Sequence, residues 1–258
     1  EFDKEGIHLD RDCYDREHPY SKYRKLNQHQ RKLVEFKDSQ SRRTVLKKII
    51  KSYIEIKDFQ SAIRYTEKLI KESGDEWDET LLVRLKEIYE LQLEATEKIH
   101  ENNVVMLCID GLRRKDVTEQ TMKNLSAYIR EKMYYFDNAY SVSTSTYESL
   151  IPAYSENDDL RTGYFQENWI LGDKCRFIKE AKKQRRKIFF YTDGTEYVVD
   201  DEIHVTPYSQ TATEKLWDFL LDAVDEHNGL FYVHILYESH FAYPNPYTME
   251  TIVGEGTS

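Results

Sequence analysis

The stretch NVVMLCIDGLRRKDV, Asn103 to Val117, decides how the chain is read. Val104 to Ile109 is a short continuous apolar run, the pattern of a strand buried on both faces of a parallel sheet. It stops at Asp110-Gly111. In an α/β layered fold ligands gather at the carboxyl ends of the strands, so a carboxylate at that position is a candidate for chemistry. Asp110 there suits a divalent cation, and Gly111 lets the backbone turn beneath it. An Asp accepting backbone N–H groups in a tight turn is the other reading of the same residues.

Downstream, the pattern alternates strands with helices. Helices are expected at about 118–132, 173–184 and 211–227, and strands at Lys187 to Thr192 and Leu230 to Leu236. That alternation predicts an α/β fold with a mostly parallel sheet and flanking helices.

Upstream, the grammar is different. From about Ser21 to His100 the sequence reads as helix throughout. Leu46, Ile49, Ile50, Tyr53 and Ile54 recur on one helical face, and Ala62, Ile63, Leu69 and Ile70 continue it after a break at Lys57-Asp58. A further helix runs from about Asp78 to Ile99. Ser52 to Ile70 resembles one tetratricopeptide unit. Residues 1–100 are therefore expected to form an all-α, helical-hairpin module, and residues 101–258 an α/β domain.

Composition bounds the function. The 258 residues carry 37 basic and 47 acidic side chains, a net charge of −10, which opposes attraction to nucleic acid. Residues 1–100 hold 21 of each sign, so all the net acidity lies after His100. Cys13, Cys108 and Cys175 are far apart and form no C-x-x-C pair, which predicts reduced thiols. No apolar run reaches the length of a membrane span, and no export signal is read at the amino terminus, so a cytoplasmic location without a transmembrane segment is expected.

Two more segments carry chemistry. FDNAYSVSTSTYESLIP, Phe136 to Pro152, places several hydroxyls before a short expected helix. One of them could serve as a nucleophile, while Ser145-Thr146-Tyr147-Glu148 is also an S-x-x-E capping box. GLFYVHILYESHFAYPNPY, Gly229 to Tyr247, runs a strand containing His234 into Ser239-His240 and a Pro- and Tyr-rich loop. His240 is a candidate ligand or anion-binding group, and His234 reads as a core residue.

In this order the three segments resemble the alkaline phosphatase and sulfatase superfamily, in particular the sulfatase-like branch with the phosphoethanolamine and phosphoglycerol transferases. The resemblance spans about residues 101–250 and implies an alkaline phosphatase-like fold. It implies Asp110 as a metal ligand, Thr146 as nucleophile and second ligand, and His240 near the metal or the anionic part of the substrate. Thr146 and Ser149 reproduce the family's threonine-x-x-serine spacing, with Thr144 and Ser143 as alternative nucleophiles. The implied cofactor is a divalent ion, zinc or manganese, and the implied substrate a phosphodiester or an envelope polymer. No C/S-x-P-x-R context is present, so sulfate-ester hydrolysis is not expected. The family's later Asp-His pair and further His have no counterpart after His240, and residues 101–258 are expected to be the amino-terminal part of the family domain. A non-catalytic scaffold is the alternative, with the helical module binding a protein partner and the α/β part degenerate.

Overall fold

The computed structural model describes residues 19–73, 76–136, 139–141, 146–155, 170–192, 198–206, 210–236 and 238. Four helices come first: α1 (Pro19–Glu35), α2 (Ser39–Glu55), α3 (Phe59–Ser73) and α4 (Glu76–Glu97). The expected helical face is the one that is buried. Leu46, Ile49, Ile50 and Tyr53 of α2 pack with Leu26 and Leu33 of α1, Ala62 and Leu69 of α3 and Leu85 of α4.

Local chemistry sets the helix ends. The Asp38 carboxylate caps α2 by accepting the Ser41 N–H at 2.7 Å. Beyond α2, Lys57 takes the left-handed conformation (φ 63°), and the Asp58 N–H returns to the Tyr53 carbonyl at 2.9 Å. Asp58 then starts α3 by accepting the Ser61 N–H. The break read at Lys57-Asp58 is thus one tight αα-hairpin.

The second region contains β1 (Val104–Ile109), α5 (Lys123–Lys132), α6 (Thr146–Tyr154), β2 (Ile170–Leu171), α7 (Arg176–Lys183) and β3 (Lys187–Tyr191). It continues with β4 (Val198–Val199), β5 (Ile203–Val205), α8 (Ala212–Asp225) and β6 (Gly229–Ile235). The main sheet is all-parallel in the order β1-β6-β3-β5, while β2 and β4 form a separate short parallel pair. The fold is therefore mixed α/β with a parallel sheet, as the alternation predicted.

Side-chain alternation along β6 divides the core. Leu230 and Tyr232 pack with Ile178 and Ala181 of α7 and Tyr154 of α6. Phe231 and Val233 face the other way, against Ala223 and Phe219 of α8. Helices on both faces keep β6 buried along most of its length, which explains its unbroken apolar run.

The expectation for β1 needs correction. It pairs with β6 alone, so it is an edge strand among the described residues, and Val105 and Leu107 remain about half exposed, at 47% and 50%. The physical reason is lateral position: α8 lies over Phe231 of β6 and Tyr191 of β3 and leaves the corresponding face of β1 open. A continuous apolar run specifies a strand, but not whether a neighbour flanks it on one side or two.

The helical region meets the sheet through α8. Trp217 packs edge-on against Phe59 at 5.3 Å between ring centres, and the Thr213 hydroxyl donates to the Ile56 carbonyl at 2.5 Å. No helix among the described residues is long and apolar enough to cross a membrane.

Candidate functional site

Asp110 follows β1 directly, and its N–H extends the ladder to the Ile235 carbonyl of β6 at 2.9 Å. Gly111 has φ 68°, a left-handed conformation in which a Cβ would be crowded and which glycine, lacking one, adopts freely. The chain turns away from the sheet at this point and leaves the Asp110 carboxylate at the strand end, 15% exposed.

Alternation then decides what surrounds it. Met106 and Cys108 of β1 pack with the Leu230–Tyr232 face of β6, and Asp110 continues the same parity. That face is covered by α6 through Leu150 and Tyr154. Thr146, the first residue of α6, consequently arrives at Asp110, and its hydroxyl donates to Oδ2 at 2.7 Å. The Thr146 oxygen is thus engaged across the site; the capping-box reading depends on Ser145, which lies outside the described residues. Ser149, one turn further along α6, shares a hydrogen bond of 2.5 Å with the Ser141 hydroxyl. This contact ties Ser141 to the helix.

His234, expected in the core, is buried there and also borders Asp110. It stands opposite Cys108 in the β1–β6 register and is fully buried, and its Nε2 lies 3.8 Å from Asp110 Oδ2. At that distance the imidazole nitrogen stands beside the carboxylate but beyond hydrogen-bond reach. The signal was present in the parity of Tyr232 and His234, but it becomes readable only once β6 is known to neighbour β1.

The floor of the site is buried. The Tyr154 hydroxyl donates to the Tyr232 hydroxyl at 2.8 Å inside the core, and burial pushes Tyr232 far above the ordinary tyrosine range, so it stays neutral. Lys215 of α8, also buried, donates to the His234 carbonyl at 2.9 Å.

His240 lies outside the described residues, as do Ser239, Thr144, Ser143 and Cys13. His227, His204 and Asp200 are not brought to Asp110. His227 precedes β6 and meets His100 in a tilted ring contact with 4.9 Å between centres, at the opposite end of the parallel sheet. His204 stacks on Phe189 at the far edge, and Asp200 is bound by Lys182 through both oxygens at 2.7 Å.

The donor set suits a zinc or manganese ion in kind: a carboxylate oxygen, a hydroxyl oxygen and an imidazole nitrogen. In number it is partial, since no group of three His, Cys, Asp or Glu side chains among the described residues is placed to hold a metal. Of the two described thiols, Cys108 is half-buried and Cys175 is buried, which pushes the Cys175 thiol up to about 11. Neither is in a disulfide. Compared with known proteins, the chain matches no family model, no curated protein and no solved structure.

Proposed function

We propose that this chain carries part of a metal-dependent, sulfatase-like transferase or hydrolase that acts on phosphodiesters of the phosphoethanolamine or phosphoglycerol type, with Thr146 as nucleophile. The observation that carries the reading is the 2.7 Å hydrogen bond from the Thr146 hydroxyl to Asp110 at the carboxyl edge of a parallel sheet. A hydroxyl held by a carboxylate at a helix start is oriented for attack, and the helix N–H groups favour anionic charge beside it.

In this reading Asp110 orients the Thr146 oxygen and accepts its proton. The oxygen forms a bond to phosphorus as the bond to the leaving alcohol breaks, and that alcohol leaves with the proton that Asp110 took up. Water or an acceptor alcohol then attacks phosphorus and releases the threonine hydroxyl. Asp110 and Thr146, with His234 beside them, are the residues that would hold a zinc or manganese ion, whose charge would lower the cost of an anionic oxygen there. His240 keeps its proposed role toward the anionic group of the substrate.

The test is hydrolysis of an aryl phosphodiester with added zinc or manganese, in the wild type and in Thr146→Ala. Loss of turnover in the variant supports the reading, and equal activity overturns it. A partner-binding role for the helical region is the second reading. It is favoured by Trp77, Val83 and Leu91 of α4, which are all more than half exposed.

A further inference from the structure

Glu238, two residues before His240 in the sequence, joins parts of the chain that are far apart. Its carboxylate accepts the hydroxyl of Tyr23 on α1 and the N–H of Ala212, the first residue of α8, the latter at 2.8 Å. One residue earlier on α1, Lys22 reaches the Glu214 carboxylate at 2.7 Å. Glu214 in turn closes the capping box of α8 with Thr211. Consecutive residues of α1 therefore grip the first turn of α8 through two carboxylates.

That turn leads to the site. It carries Lys215, whose ammonium holds the His234 carbonyl, and the next carbonyl along β6, that of Ile235, receives the Asp110 N–H. Asp110 receives Thr146. From Tyr23 to Thr146 the contacts are hydrogen bonds between residues that are largely or wholly shielded from water, where such bonds are strong and their loss is felt.

We propose that Tyr23 is a positioning residue of the candidate site, fixing the end of β6 against Asp110 by way of Glu238 and the first turn of α8. What the site does rests on the transferase reading, but the coupling itself does not. The helical region then acts as a brace for the chemistry as well as a surface. Spatial continuity alone does not establish coupling, so the test must read the far end.

Hydrogen exchange on the full chain supplies that readout. Tyr23→Phe keeps the ring, which is packed in the helical core, and removes only the hydroxyl. The amides of Ala212 and Asp110 are expected to exchange about fivefold faster, the factor equivalent to one lost hydrogen bond, while those of Leu46 and Ile49 are unchanged. Glu238→Ala should match this result, and Glu238→Gln, which retains an acceptor oxygen, should recover part of the protection. Lys25→Ala, on the same helix as Tyr23, breaks an exposed pair with Glu55 of α2 and should leave Asp110 as in the wild type. An unmoved Asp110 amide in Tyr23→Phe overturns the proposal, even if Ala212 speeds up. A wild type inactive toward the phosphodiester, with a faster Asp110 amide in the variant, counts against the transferase reading alone and leaves the coupling standing.

Discussion

The Thr146 hydroxyl and the Asp110 carboxylate meet at 2.7 Å although 36 residues separate them in the chain. Their meeting follows from two local facts: Asp110 directly follows β1, and Thr146 begins the helix covering that strand's inner face. Removing the hydroxyl should therefore affect stability and activity very differently. In Thr146→Ala we expect a stability loss of about 0.5–1.5 kcal/mol, the worth of one hydrogen bond, read by urea denaturation. Turnover should fall by at least about three orders of magnitude, as for loss of a nucleophile. Thr146→Ser should keep most of both.

Gly111 tests whether the turn after β1 sets the carboxylate. At φ 68° an alanine is strained by about 1–2 kcal/mol, whereas asparagine visits this region readily. Gly111→Ala should thus lower the denaturation midpoint and Gly111→Asn should restore much of it. If alanine were as stable as asparagine, the left-handed turn would not be what limits this position.

A pH dependence is expected from the helical region. Arg42 binds both oxygens of Glu72, at 2.7 and 3.0 Å, and also donates to the Leu33 carbonyl near the end of α1. The hydrogen bonds from Arg42 hold the Glu72 carboxyl below its ordinary value of 4.5. Because the folded pKa is depressed, the stabilisation is complete above that ordinary value and disappears as the pH falls through the lower, folded one. Thermal melts between about pH 6 and 3 should show Glu72→Gln losing less stability on acidification than the wild type. Equal acid slopes would show that the pair does not contribute.

How much of this could be read beforehand depends on how local each signal is. The α2–α3 hairpin was legible because Leu46, Ile49 and Tyr53 repeat at helical spacing and Lys57-Asp58 carries its own capping chemistry. Asp110 and Thr146 were legible as single residues, each at the end of an element. His234 was legible as a core residue, but its place beside Asp110 was not, because it depends on β6 lying beside β1, a pairing between segments more than a hundred residues apart that leaves no mark on either strand. The open face of Val105 and Leu107 was missed for the same reason. Strand order, unlike strand identity, is not encoded in a window of ten residues.

The last prediction concerns a position with no room for a side chain. Gly172 is buried in the short 3-10 turn Gly172–Lys174, and a Cβ on it would lie 2.1 Å from Asp200 Oδ2 and 2.7 Å from the Asp200 Cβ. Asp200 cannot retreat without cost, since Lys182 holds both of its oxygens and its Oδ1 also accepts the Glu202 N–H at 3.0 Å. Gly172→Ala should therefore destabilise by about 1–3 kcal/mol, the range of overpacked sites. Lys182→Met releases Asp200 on one side, so in that background the same glycine substitution should cost less. A double-mutant cycle should give a coupling of at least about 0.5 kcal/mol. Strict additivity would mean that the turn at Gly172 moves instead of Asp200, and that the ion pair is not what confines the glycine.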